Sequence, residues 1–173
     1  MTQTIICGRG GQGIVFLTRL LGDIATAKGL KVISSETHGM AVRGGSINSH
    51  LKIGSFFSPL IGWGRADYLI SLDSSETINN RHFLKPGGSI FENSPGPSES
   101  SLYRLDAASM ARSLGRIQLE NVVLLGFAAS LANLEVSFQE ITNKIDSGTR
   151  QNLRELNLAA LEAGFQAASL LKK

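Results

Sequence analysis

One cysteine, three histidines and four prolines are all that this 173-residue chain has of those residue types. A single thiol, Cys7, closes no internal disulfide. It also falls short of the four thiolates that usually hold an iron–sulfur cluster. His38, His50 and His82 are nowhere spaced i, i+4, so the sequence offers no helical metal-binding pair. Aromatic residues make up only 6% of the chain, too few for a nucleic-acid stacking platform. The net charge of +3 is scattered, with no basic run to suggest nucleic acid. No apolar stretch approaches the ~18 residues of a membrane span. The first residues carry no charged segment followed by a long apolar one, so no secretion signal is read. The expectation is a cytoplasmic protein with neither nucleic acid nor membrane among its partners. Any redox chemistry would need a bound organic cofactor or a carrier on another chain.

What is present suits a globular core. Apolar residues are 42% and charged residues 18% of the chain, and its length is that of one domain spanning 1–173. Thr4–Cys7 is a short apolar run ending at Gly8, as a buried parallel strand would be. From Gln12 to Lys28, Val15, Leu17, Leu20, Leu21, Ile24 and Ala27 recur at helical spacing, with Gly29 as a stop. Val32-Ile33 begins a second strand that ends near Glu36. In the next, Ile47, Leu51 and Ile53 share one face, while Asn48, His50 and Lys52 share the other. That polar row predicts a strand that is antiparallel, at an edge, or facing a partner, with His50 and Lys52 in solvent or on a partner surface.

Further on, Phe56–Arg65 is apolar but irregular. Tyr68–Leu72 reads as a buried strand, and Asp73 with Glu76 as an acidic variant of the capping box opening a short helix. Lys85-Pro86-Gly87-Gly88 suits a type II turn leading into a strand at Ser89–Phe91. Ser94–Ser101, rich in Pro, Gly and Ser, reads as a mobile loop. Ala107–Leu114 and Val122–Leu131 are apolar enough for buried helices. Ser137 and Glu140 form a capping box with Val136 and Ile141 as a hydrophobic staple. A last helix over about Arg150–Leu171 carries Leu153, Leu156, Ala160, Gly164 and Ala167 down one side. Its Asn157 is expected to bond a loop backbone. The order β-α-β-β-β-α-β followed by helices is that of an α/β layered domain.

Two loops carry the functional signal. Gly8-Arg9-Gly10-Gly11-Gln12-Gly13 has the G-x-G-x-x-G spacing between a strand and a helix. On the dinucleotide reading, Gly8 permits a tight turn, Gly10 lets another molecule approach, and Gly13 lets helix pack on strand. The helix N-terminus supplies amide donors for a phosphate. Glu36, 23 residues after Gly13, stands near the place of a ribose-binding acid. Equally open are a bare strand–helix junction and a loop for a phosphate-bearing ligand or a partner chain. The second loop, Ser34–Ser46, gathers Glu36, His38, Gly39, Met40, Arg43, Gly44, Gly45 and Ser46. Arg43 can present a planar fork to a carboxylate or phosphate, or tie down its own loop through Glu36. A dinucleotide fold has no evident use for this second glycine cluster.

Together these loops resemble the gamma subunit or gamma domain of the 2-oxoacid:ferredoxin (acceptor) oxidoreductases. The match runs from Gly8–Gly13 through Ser35–Ser46, Ser49–Lys52, Ser58–Ile61, Ala66-Asp67, Leu84–Gly88 and Leu156–Leu158 to Gly164. It covers nearly the whole chain. The resemblance implies a three-layer α/β/α sandwich with a mixed, partly Rossmann-like sheet and C-terminal helices. It implies a noncatalytic subunit of an oxidoreductase that decarboxylates a 2-oxoacid to an acyl-CoA. Thiamine diphosphate, Mg and the iron–sulfur clusters would belong to the catalytic alpha and beta partner subunits, which pass electrons to ferredoxin, with coenzyme A as co-substrate. No cofactor and no catalytic or metal-binding residue would belong to this chain. Its own part would be assembly and access for coenzyme A, through Gly8, Gly10, Gly11, Gln12, Gly13, the second-loop residues, Asn48 and His50. The form His38-Gly39-Met40-Ala41-Val42-Arg43 is similar to indolepyruvate-type subunits rather than 2-oxoglutarate-type ones. The isolated chain is expected to be inactive, with a homodimer allowed. Against this stand a self-contained NAD(P)- or flavin-dependent reductase and a free-standing binding domain.

Overall fold

The computed structural model describes residues 1–39, 44–148 and 151–171. The chain runs β1 (Thr2–Arg9), α1 (Ile14–Ala27), β2 (Val32–His38), β3 (Ser46–Ile53), β4 (Ala66–Ser71), α2 (Ser74–Asn80), β5 (Leu84–Asn93), β6 (Leu102–Leu105), α3 (Ala107–Ser113), α4 (Glu120–Leu131), α5 (Phe138–Gly148) and α6 (Gln151–Ala167). Six strands form one mixed sheet in the order β2-β3-β1-β4-β5-β6. β1, β4, β5 and β6 pair in parallel, while β3 runs antiparallel to both β1 and β2. The expected antiparallel strand is therefore interior to the sheet.

The two faces are covered unequally. On one, α1, α3 and α4 pack on Ile6, Leu51, Ile70 and Phe91, with α5 and α6 beyond them, in one large apolar cluster. α4 is buried all round from Glu120 to Ala128, because sheet lies on one side and helices on the other. Its crossing with α6 leaves no room for side chains. A Cβ on Gly164 would stand 1.8 Å from the Val123 carbonyl oxygen, and one on Gly126 2.0 Å from that of Leu161. The opposite face has a small cluster of Ile5, Cys7, Ile61, Ala66, Leu69 and Ile90. Among the described residues, α2, the 3-10 turn Arg81–Phe83 after it, and the 54–65 loop cover it.

Several local expectations change. Lys85–Gly88 lies within β5, where Gly87 keeps the positive φ of 77° that the turn pattern asks for. The ladder with β4 absorbs it as a register shift between Ala66 and Tyr68. The Ser94–Ser101 segment is anchored: the Arg104 amide donates to Ser98 Oγ (3.0 Å), and its guanidinium to the Pro97 carbonyl and Glu99 (both 3.0 Å). The Ser137–Glu140 capping box forms with both reciprocal bonds. At α2 only half of the box exists: Asp73 accepts from the Ser75 amide, while the Glu76 carboxylate turns away to Ser46. Asn157 donates to Leu153 of its own helix.

Candidate functional site

The glycine loop lies at the carboxyl ends of the parallel strands. From β1 the chain passes to α1 on the thick face. From β4 it passes to α2 on the thin face. Between these divergent crossovers open α/β sheets carry their crevice, here bordered by Gly8–Gly13 and Asp73–Ser75.

The first loop is occupied by its own side chains. Gly8 is extended, and a Cβ there would meet Gln12 Oε1 at 2.8 Å and Leu72 Cβ at 3.0 Å. It therefore admits Gln12 and makes no turn. Gln12 Oε1 accepts from the Arg9 amide (2.7 Å), and its Nε2 donates to the Leu72 carbonyl (3.0 Å) and Glu120 Oε1 (3.1 Å). Asn93 Nδ2 mirrors it, donating to the same carbonyl (3.3 Å) and Glu120 Oε2 (3.0 Å). Glu120 thus sits between two carboxamides at the start of α4. Burial pushes its carboxyl above the ordinary 4.5, and the two amide donors hold it back. Neither Asn93 nor Glu120 stands in a motif. Only the fold brings them to Gln12.

Gly13 and Gly11 have φ of 83° and 100°. A Cβ on Gly13 would lie 2.0 Å from Asn121 Nδ2, so Gly13 clears a helix-borne amide and not a strand. It heads α1 with no side-chain cap and no acid in the first turn. The N-terminal amide field thus opens toward the crevice. Arg9 reaches over α2: its Nε donates to Asp73 Oδ2 (2.9 Å) and Nη2 to Ser75 Oγ (3.2 Å). Burial raises the Asp73 carboxyl, but the Ser75 donors and the Arg9 cation outweigh it and hold it below its ordinary value.

The second loop folds back on the first. The Gly10 amide donates to the Gly45 carbonyl (2.9 Å), and a Cβ on Gly10 would come within 3.3 Å of the Gly44 nitrogen. The approach that Gly10 permits is that of Gly44-Gly45. The Gly39 amide donates to the Ser46 carbonyl (2.8 Å), and Ser46 Oγ to Glu76 (2.7 Å). His38 is exposed at the end of β2, paired in register with Ile47. Met40 and Arg43, and with Arg43 its proposed pairing to Glu36, lie outside the described residues.

Two expectations are overturned. Glu36 pairs across the ladder with Ser49 of β3, which separates β2 from β1. At ~4.8 Å per strand, the acid is about two spacings from the strand that feeds the glycine loop, where a dinucleotide fold has one. It cannot serve as the ribose acid of that loop. Nor is the polar row of β3 exposed. His50 is 4% exposed, its Nδ1 accepting from the Ile61 amide at 3.0 Å. Lys52 is buried, with its ammonium 5.2 Å from the Phe56 ring centroid. Asn48 donates to Asn80, and its own Oδ1 is buried without a partner. The row roots α2 and the 54–65 loop onto the sheet. Burial, with Lys52 adding to it, holds His50 below the ordinary 6.5.

Burial pushes the Cys7 thiol up to about 12. Among the described residues no three His, Cys, Asp or Glu side chains converge as a metal site. Nor is any described helix long and apolar enough to cross a membrane.

Comparison with known proteins meets this geometry from outside. Residues 3–167 match the model of the family described as pyruvate ferredoxin/flavodoxin oxidoreductase. The chain is 27% identical to the indolepyruvate oxidoreductase subunit IorB of Archaeoglobus fulgidus, over 95% of this chain and 94% of that protein. It is 22% identical to the 2-oxoglutarate synthase subunit KorC of the same organism, over 97% and 88%. The keto/oxoacid ferredoxin oxidoreductase gamma subunit of Geobacter sulfurreducens superposes with a TM-score of 0.80, at 24% identity over 98% of this chain and 99% of that one. The 2-oxoglutarate:ferredoxin oxidoreductase of Magnetococcus marinus gives a TM-score of 0.80 at 19% identity, over 98% of this chain but 31% of that one.

Proposed function

The chain belongs to the pyruvate ferredoxin/flavodoxin oxidoreductase family, and from that premise we propose that it serves as the gamma-type subunit of a 2-oxoacid:ferredoxin oxidoreductase of the indolepyruvate kind. One observation carries the reading. The match to the Archaeoglobus subunit covers 95% of this chain and 94% of that protein. The kind is supported by 27% identity to the indolepyruvate subunit against 22% to the 2-oxoglutarate one. Thiamine diphosphate, Mg and the clusters belong, on this reading, to catalytic partner subunits, and ferredoxin accepts electrons there.

This chain's own contribution is structural and electrostatic. The uncapped start of α1, the positive-φ glycines Gly11 and Gly13, and the Arg9 guanidinium line one edge of the crevice. They suit a phosphate-bearing co-substrate such as coenzyme A. Asp73 keeps Arg9 extended over that edge, and Gln12 with Glu120 keeps the loop from collapsing inward. A nicotinamide reductase is disfavoured by the displaced Glu36.

Reconstitution with the catalytic subunit of the same organism tests the reading. The purified chain is expected to show no turnover with NAD(P)H or a dye acceptor. The complex is expected to oxidise indolepyruvate in a coenzyme A-dependent reaction faster than pyruvate or 2-oxoglutarate. Arg9→Ala should raise KM for coenzyme A with little change in kcat. Failure to form the complex, or turnover by the chain alone, overturns the proposal.

A further inference from the structure

The thin face of the sheet carries an unusual surface. Among the described residues, Phe57 is fully exposed, Trp63 and Ile78 are 79% exposed, and Leu60 is 53% exposed. All four lie on the short cover of that face, three on the 54–65 loop and one on α2. Scattered exposed apolar residues are ordinary, but four large ones on one thin cover are the mark of a contact surface.

The cover is held in place as a rigid platform. Ile61 is buried at the loop's centre and its amide is bonded to His50. Phe56 turns inward over Lys52 while Phe57 turns out. The Gly64 and Arg65 amides donate to the His82 and Phe83 carbonyls (3.0 and 2.8 Å), stitching loop to 3-10 turn. The Trp63 ring stands edge-on to His82 with centroids 5.3 Å apart. Apolar side chains on a pre-ordered scaffold lose little entropy on binding, which suits them as anchors.

Beside these anchors the Asp67 carboxylate is neutralised by Lys85, which leaves two arginines as the uncompensated charges. Arg65 and Arg81 are exposed, and neither takes part in any of the described ion pairs. Arg81 follows Ile78 by three residues, so the two share one side of the turn. An apolar centre with a cationic edge fits a surface that is apolar in the middle and acidic at the rim. A second copy of this chain fits poorly, because it would bring the same arginines against themselves. The structural relative from Magnetococcus marinus, whose matching domain fills 31% of its chain, shows this fold alongside other protein in one polypeptide.

We infer that the platform formed by the 54–65 loop, α2 and the Arg81–Phe83 turn is the surface by which this chain docks onto an acidic-rimmed apolar patch of its catalytic partner subunit. This rests on the subunit reading above. The tagged chain is co-expressed with the catalytic subunit of the same organism, in wild-type form, as Phe57→Ser/Trp63→Ser and as Arg81→Glu. Leu170→Ser/Leu171→Ser, whose residues are exposed on the other side, serves as control. Each purified chain is checked by circular dichroism and thermal melting. Expected is a dissociation constant at least tenfold weaker for both platform variants with melting unchanged, and no change for the control. Platform variants that assemble as tightly as wild type overturn the inference while leaving the subunit reading intact. A wild-type chain that does not bind the catalytic subunit at all overturns both. The docking surface is also refuted if the platform variants lose only self-association in light scattering, or only binding to phosphatidylserine vesicles.

Discussion

His50 is an acceptor only while its Nδ1 is bare, so its bond to the Ile61 amide exists only with neutral imidazole. Burial lowers the folded-state value, so below the ordinary 6.5 the unfolded chain binds the proton first. This contribution to stability is complete above 6.5 and is lost as pH falls through the lowered value. Trp63, the chain's one tryptophan, sits on the loop that His50 holds. Its emission should shift on acidification below 6.5, and His50→Gln, whose carbonyl accepts at any pH, should remove that shift. A profile unaltered in the variant would show that His50 does not hold the loop. Glu120 runs the other way. Its raised value means that the folded state binds the proton more tightly, so its stabilising effect is full below 4.5 and fades as pH rises past it. The melting-temperature advantage of wild type over Glu120→Gln should therefore shrink above 4.5, and an advantage that grows with pH would refute the assignment. Neither role is legible in the sequence. Period-2 alternation puts His50 on a polar face but does not say that a loop eleven residues on will cover it. Glu120 meets Gln12 only through the order of the sheet.

Elements, by contrast, were largely written in local pattern. The glycine after Cys7, the helical spacing through Ala27 and the capping box at Ser137 each carry their own physical signal, and each element forms where that signal lies. β6 escaped notice because four half-buried residues after a Pro/Gly/Ser tract carry too little periodicity. The Pro86-Gly87 turn became part of a strand because the neighbouring strand absorbed it. Gly126 and Gly164 show a tertiary demand that helix propensity argues against. Alanine would favour either helix by about 1 kcal/mol. Yet its Cβ would lie 2.0 or 1.8 Å from a carbonyl oxygen of the facing helix, far inside contact distance. Overpacking of about 1–3 kcal/mol or more should win. Gly164→Ala is expected to lower the melting temperature, by about 2–4 °C for each kcal/mol of net cost, and an unchanged or raised value would mean that the α4–α6 crossing gives way easily.

At the scale of the molecule, the unequal faces predict unequal opening. The large cluster under α1, α4 and α6 should unfold only globally. The few apolar residues under α2 and the 54–65 loop should open at lower free energy. Native-state hydrogen exchange should show the Ile61 amide exchanging through a smaller opening than the amides of Val123 or Leu124; equal protection would contradict this. The α/β sandwich itself was legible from the alternation of elements, and the insertion of β3 between β1 and β2 was not, because no residue pattern says which strands are neighbours. That insertion also delivers Gly44-Gly45 to Gly10, where one amide–carbonyl bond and a close backbone approach join the two glycine loops. Loops so joined are thermodynamically coupled. Whatever settles on one changes the affinity at the other, and the same factor applies in both directions. Gly8–Gly13 and Gly44–Ser46 therefore move as one unit, and Gly10→Ala, whose methyl group would press on the Gly44 nitrogen at 3.3 Å, would loosen that link.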